Sequence, residues 1–311
     1  MANNWCTYNG KVIFFNGKSI SSSSGSLIPK NTLRFKFSNT SYVPTIGYPA
    51  CTATIGSWSA YDASAGIWDW TCDSTDWYAA FQSGFTARVI GAGNTVELIA
   101  GSSNITATSM EAMFHGCTSL KSVPLFDTSS VKNMGDMFLT CEALTSVPLF
   151  DTSSVKRMSN MFAGCKSLTS VPLFDTSSVV YMQSMFLSCS SLKSVPLFDT
   201  SSVLYMSNMF GECTSLKSVP LFNTSSAKSM VSMFYGCSSL KSVPLLDTSS
   251  VTNMESMFQY CRNVESGALA LYQQASSQAT PPSSHAYCFR DCGLDTTTGA
   301  AELAQIPSDW K

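Results

Sequence analysis

Cysteine, aspartate and histidine are the residues of this 311-residue chain that could do chemistry, and their spacing limits what kind. Twelve cysteines are present, and seven of them (Cys117, Cys141, Cys165, Cys189, Cys213, Cys237 and Cys261) recur every 24 residues. Stacked rungs would bring such thiols close enough for disulfides, or a column of thiolates could hold zinc. No histidine shares the period, and His115 and His285 are the only two in the chain, so neither zinc nor histidine-based catalysis is expected. Asp127, Asp151, Asp175, Asp199 and Asp247 form a second periodic set, with Asn223 in the one remaining slot. One carboxylate per rung falls short of the six to eight oxygens that calcium takes. His285, Cys288 and Cys292 form a third cluster, which also has a simpler explanation in the repeat.

The elements that position these residues come from one repeated phrase. "SVPLFDTSSV" stands at 122–131, 146–155, 170–179 and 194–203, with edited copies at 218–227 and 242–251. From Met113 onward, six 24-residue units run to residue 256, and a seventh opens at Met257. The consensus is M-F-x-x-C-x-S-L-x-S-V-P-L-F-D-T-S-S-V-x-x-M-x-x. A fixed period of this size means stacked supersecondary units that share one core. Leu120-x-x-Val123-x-Leu125 has leucine-rich-repeat strand spacing, which predicts valine and leucine facing inward. Val131, Met134, Phe138 and Cys141 lie on one face of a helical wheel. Asp127-Thr128-Ser129-Ser130 precedes them with residues that cap helices. Each unit therefore reads as strand, cap and short helix. The cysteines fall on the apolar helix face, where a reduced thiol packs as a small hydrophobe. The aspartates fall at the caps, where asparagine serves equally well.

Residues 96–112 read as a worn half-unit, and "CFRDCGL" at 288–294 copies M-F-x-x-C-x-S-L with Cys288 in the methionine slot. "GALALYQQASSQA" (267–279) reads as an inserted helix. The N-terminal third is different material. Two Asn-Gly pairs flank "KVIFF", a hairpin signal; "SSSSGS" (21–26) reads as a linker and "TLRFKF" (32–37) as a strand. Eight aromatics between Trp58 and Phe85 suit a small β core, or a surface that stacks on sugars. The expected organisation is an anchor meander and linker at 1–28, a small β domain at 29–95, the repeat array at 96–264 and a C-terminal cap at 265–311. The fold class is an α/β leucine-rich-repeat solenoid with a small N-terminal β domain.

Composition removes several functions. Net charge is −2 and only 12% of residues are charged, and no basic stripe offers a nucleic-acid surface. No apolar run reaches the roughly 18 residues of a membrane span. The opening "MANNWCTYNGKVIFFNGKSI" lacks a basic stretch followed by a long apolar one, so a secretory signal is not expected.

The unit "MFxxCxSLxSVPLFDTSSVxxM" resembles the BspA-like leucine-rich repeats of bacterial surface proteins and mycoplasma-type lipoproteins. The likeness runs over about 96–265 and implies adhesion or ligand binding, with no catalytic residue to carry over. The opening and array together are also similar to proteins encoded by phages of gut bacteria, which implies a virion setting.

If the constant letters are core, binding belongs to the variable pair after the valine. That pair reads Lys132-Asn133, Lys156-Arg157, Val180-Tyr181, Leu204-Tyr205, Lys228-Ser229 and Thr252-Asn253. The candidate ligand-binding residues are Tyr181, Tyr205, Val180 and Leu204, with Arg157 one rung earlier. Lys121, Lys193, Lys217 and Lys241, with Thr145 and Thr169 between, read as a solvated edge. The expected function is a non-enzymatic phage virion protein, a fibre or decoration module. Its partners would be other virion proteins through the N-terminal region and a host-surface protein or glycan through the solenoid. Self-association is left open, and no metal, cofactor or nucleic acid is expected. The alternative is a secreted or lipid-anchored surface adhesin. A glycan hydrolase lacks carboxylates opposed across a cleft.

Overall fold

A computed structural model describes residues 6–8, 11–13, 30, 32–37, 57–62, 64, 67–71 and 96–311. Strands β1 (Cys6–Tyr8) and β2 (Lys11–Ile13) pair antiparallel, with Tyr8 opposite Lys11 and Asn9-Gly10 between them. Strands β3 (Thr32–Phe37), β4 (Ser57–Asp62), β5 (Ile67–Thr71) and β6 (Val96–Gly101) form an antiparallel sheet in the order β4-β5-β3-β6. Val96–Gly101, read from sequence as the array's first strand, is instead the edge strand of this sheet. The "SSSSGS" linker and the aromatics from Trp77 to Phe85 lie outside the described residues. The Thr32 carbonyl accepts from Ser102 N–H, and Leu33 joins the same buried cluster as Ile105, so β3 abuts the first turn of the array.

From residue 102 the chain coils in 24-residue rungs, and here the expected helix is absent. Between Met134 and Cys141 the backbone accounting is complete. The N–H groups of Met134, Asp136, Phe138 and Thr140 donate to the carbonyls of Arg157, Ser159, Met161 and Ala163 in the next rung, at 2.7–3.0 Å. Those of Met137, Leu139 and Cys141 return to the carbonyl three residues back, and Gly135 N–H is bound by Asn133 Oδ1. The segment is a chain of tight turns with no N–H left for a helical i→i−4 bond. Two residues four apart in each rung take a left-handed φ: 57° at Asp136 and 58° at Thr140, then 53° at Asn160 and 73° at Gly164. Such a residue at the third position marks a type II-like turn. The i, i+3, i+4, i+7 spacing of Met134, Met137, Phe138 and Cys141 buries one side of this ribbon as it would a helix, so periodicity alone could not separate the two. Asparagine, aspartate and glycine at 116, 136, 160, 164, 208 and 236 tolerate positive φ, and they were the available sign.

The strand is displaced too. The "SVPLF" segment carries no regular strand, and isolated parallel bridges join Ser109, Asn133, Arg157, Tyr181, Tyr205, Ser229, Asn253 and Ser284 in succession. The rung-to-rung strand thus runs through the variable pair. The leucine of "SVPLF" does not face inward either. Phe150 N–H donates to Pro148 O, and the same two-residue-back bond recurs at Phe174, Phe198 and Leu246. Such a bond makes a γ-turn with leucine at its apex. The apex residue is thrown outward while Val147 and Phe150 stay buried.

Inside, identical side chains stack on themselves. Phe114, Phe138, Phe162, Phe186, Phe210, Phe234 and Phe258 form a column of near-parallel rings 5.0–5.7 Å apart, inside the range aromatic pairs favour. Phe289 extends it and Trp310 closes it. Helix α1 (Ala268–Ser276) finishes the opposite edge, where Gln274 Nε2 donates to Leu246 O at 2.7 Å. Leu246 is the one rung where phenylalanine gives way to leucine in its own column. Gly267 has φ 96°, and a Cβ there would strike Val243 O, so glycine is required at the entry to α1. Glu302 of helix α2 (Thr297–Gln305) accepts from the N–H groups of Gly267 and Leu269, placing a carboxylate at the N-terminus of α1.

Candidate functional site

The variable-pair column positions the candidate residues. Because Arg157, Tyr181 and Tyr205 occupy consecutive parallel bridges, their side chains leave the same side of three successive rungs. The rings of Tyr181 and Tyr205 stack 5.7 Å apart at 7°. Arg157 Cζ lies 4.9 Å from the Tyr181 centroid, within cation–π range. The order along the ladder is therefore guanidinium, phenol, phenol. Tyr181 is covered on one face by Arg157 and on the other by Tyr205, so its edge and hydroxyl are what it presents. Tyr205 is 37% exposed. The next residue along the ladder is Ser229, which is too small to cover a phenol ring and bonds Ser207 Oγ at 2.9 Å. The end of the stack is a step, with an aromatic face above and two serine hydroxyls at its foot. Neither Ser207 nor Ser229 was among the candidate residues, although the return from Tyr to Ser at the second position was the signal for Ser229. Val180 and Leu204 sit half-buried beside the stack, and Leu204 N–H donates to Val180 O at 3.1 Å.

The periodic aspartates serve the backbone. Asp127, Asp151, Asp175 and Asp199 each accept through Oδ1 from the N–H and the hydroxyl of the serine two residues on. Asn223 makes the same two bonds. These are Asx turns, not helix caps, and they explain why Asn substitutes. The Ser201 hydroxyl and then its N–H hold the Asp199 carboxyl below the usual range, as Ser249 does for Asp247. The following threonine is the true clasp between rungs: buried Thr128, Thr152, Thr176, Thr200 and Thr224 each donate to the carbonyl at the Asp position of the next rung, at 2.7–2.8 Å.

The seven periodic cysteines, like Cys288 and Cys292, are buried free thiols. From Cys141 to Cys261, each Sγ–H donates to the phenylalanine carbonyl 27 residues earlier, at 3.0–3.2 Å. Burial pushes the Cys189 and Cys237 thiols up to about 12, and at Cys141 the neighbouring thiols add to that effect. Such groups are neither nucleophiles nor ready metal ligands. Cys288 and Cys292 are buried in the last rung, while His285 turns away to Pro282 O and Asp309 and stacks on Trp310 at 4.1 Å. Among the described residues, no group of three or more His, Cys, Asp or Glu gathers as a metal site, and no helix is long and apolar enough to cross a membrane.

The family model described as "Mycoplasma protein of unknown function, DUF285" matches residues 108–218 and 169–270, together just over half of the chain. Two solved structures are similar. A leucine-rich repeat protein from Eubacterium ventriosum is 22% identical, with 50% of this chain and 43% of that chain covered and a TM-score of 0.33. A leucine-rich repeat protein from Bacteroides ovatus is 19% identical, with 68% and 70% covered and a TM-score of 0.27. This chain thus spans less than half the length of the first. No curated protein matches the sequence.

Proposed function

The chain belongs to the DUF285 family of BspA-like leucine-rich repeats, and from that premise we propose that it is a non-enzymatic display module that binds surface glycans through the variable-pair column. The observation that carries the reading is the Arg157–Tyr181–Tyr205 stack ending above Ser207 and Ser229. A sugar ring has one apolar face and a rim of hydroxyls. The open side of Tyr205 suits the face, and the serines with the exposed Lys228 suit the rim. Tyr181 and Arg157 act by holding Tyr205 rigid rather than by meeting the sugar. A preordered ring loses little side-chain freedom on binding, which favours affinity.

The setting proposed for the module is a phage particle, as a fibre or decoration protein anchored by the N-terminal region. A chain in which residues 1–95 carry none of the 24-residue pattern suits an anchor joined to a displayed array. A bacterial surface adhesin is the alternative setting.

Binding is tested on an array of host-surface polysaccharides with the full chain. Tyr205→Ala should weaken capture by roughly tenfold, about 1.4 kcal/mol, while leaving thermal stability unchanged. Equal capture by wild type and variant sinks the site. Stoichiometric copies in purified phage particles support the virion setting, and their absence with surface labelling of cells supports the adhesin.

A further inference from the structure

Six leucines stand outside the core in one row. Leu125 is 44% exposed, Leu149, Leu173 and Leu197 are each 59% exposed, Leu221 is 64% and Leu245 is 53%. Each occupies the same slot of successive rungs, and the γ-turns from Pro148, Pro172, Pro196 and Pro244 set four of them at the outer corner of the coil. The result is a contiguous apolar ridge on the order of 500 Å², as large as the largest patch a typical monomer exposes. Nothing in the folding of a rung needs leucine at that corner, since the side chain lies outside the core.

The flanks of the ridge carry opposite charge. Four residues before each leucine is the exposed slot held by Lys121, Lys193, Lys217 and Lys241, and two residues after it is the aspartate slot. Lys241 pairs with Glu265 at 2.8 Å. Across the ridge, then, the order is lysine, leucine, aspartate in rungs one, four and six, and lysine, leucine, asparagine in rung five.

We propose that this ridge is the contact surface for a second copy of the same chain, packed side by side with the two solenoid axes parallel. Two observations select that partner. A row of six leucines can be matched rung for rung only by a surface with the same repeat distance, and a second copy has that distance by construction. A two-fold axis running along the solenoids also reverses the order of the flanks, so the lysine side of one copy meets the aspartate side of the other. Lys121 then faces Asp127 and Lys193 faces Asp199 across the contact, each pair occurring twice as isologous contacts require. An antiparallel pairing would set lysine against lysine and aspartate against aspartate.

The full chain should sediment as a dimer at micromolar concentration. Leu149→Ser, Leu173→Ser and Leu197→Ser combined should make it monomeric with unchanged circular dichroism. Leu125→Cys alone should form a disulfide-linked dimer under mild oxidation, because the parallel arrangement brings residue 125 of both copies together. A wild type that stays monomeric overturns the proposal, whether the ridge is bare or covered by the chain's own N-terminal region. A triple variant that remains dimeric overturns it too. Crosslinking that requires Leu125→Cys chains mixed with Leu245→Cys chains overturns the parallel arrangement. Glycan capture by Tyr205 lies in a different slot of the rung, so either reading can fail alone.

Discussion

The phenylalanine column from Phe114 to Phe289 and the leucine column from Leu125 to Leu245 recur with the same period and end on opposite sides of the coil wall. Phe138, Phe162, Phe186 and Phe210 are fully buried, each ring stacked on its copies above and below. The leucines are repeated as faithfully and stand mostly in solvent. Exact repetition therefore reports that a residue meets its own image one rung away, and it does not report which side of the wall the meeting occurs on. The deciding factor is local backbone geometry. Turns with left-handed corners direct the phenylalanines inward, and γ-turns direct four of the six leucines outward.

That contrast can be stressed in graded ways. The largest effect should come from the interior thiols under alkali. Their folded pKa values lie above the ordinary thiol value of 9.0, at about 12 for Cys189 and Cys237. The folded state therefore holds more protons than the unfolded state between those limits. Stability is fully present below pH 9 and falls as pH rises toward 12, by about 1.4 kcal/mol per pH unit for each such thiol. Denaturation titrations at pH 8, 9.5 and 11 should show a steep decline, and Cys189→Ala should flatten its slope. An unaltered slope would mean that the thiols are not held protonated by burial.

Next comes Phe186→Ala, which opens a hole in the stacked column and should cost about 3–5 kcal/mol in urea unfolding. Thr176→Val removes the hydroxyl that binds Asp199 O at 2.7 Å and leaves that carbonyl without its partner. A loss of about 1–3 kcal/mol is expected, and a neutral result would demote the threonine clasp. The smallest change is Leu197→Ser on the ridge, expected within about 0.5 kcal/mol of wild type. A loss of several kcal/mol there, measured where both chains are monomeric, would place the leucine in the core after all and dissolve the comparison.

Legibility followed the kind of information each feature carries. The rung length, the methionine–phenylalanine–cysteine interior and the return of that pattern at "CFRDCGL" were all readable, because a column that packs on itself must repeat its letters. The inserted helix at Ala268–Ser276 was readable from composition and its distance from the repeat. The juxtaposition of Tyr181 and Tyr205 followed from the period alone. The helix expected after "DTSS" was misread, because a ribbon of turns buries the same i, i+3, i+7 set that a helix does. Gly116, Gly164 and Asn160 hinted otherwise, but Ser184, Glu212 and Tyr260 take the same left-handed conformation and blur the sign. Val96–Gly101 was assigned to the array because its alternation is the same whether its neighbour is a rung or β3.

By itself, the sequence determined that most of this chain is a stack of equivalent rungs and which residues of each rung meet their copies. Those follow from spacing, which is a property of the chain. Tertiary structure alone decided which hydrogen bonds link the rungs, which face each column occupies, and that both faces of Tyr181 are covered while Tyr205 has one open. Those depend on where each N–H finds its acceptor. An N–H bonded to the next rung and one bonded within its own helix leave the same letters behind.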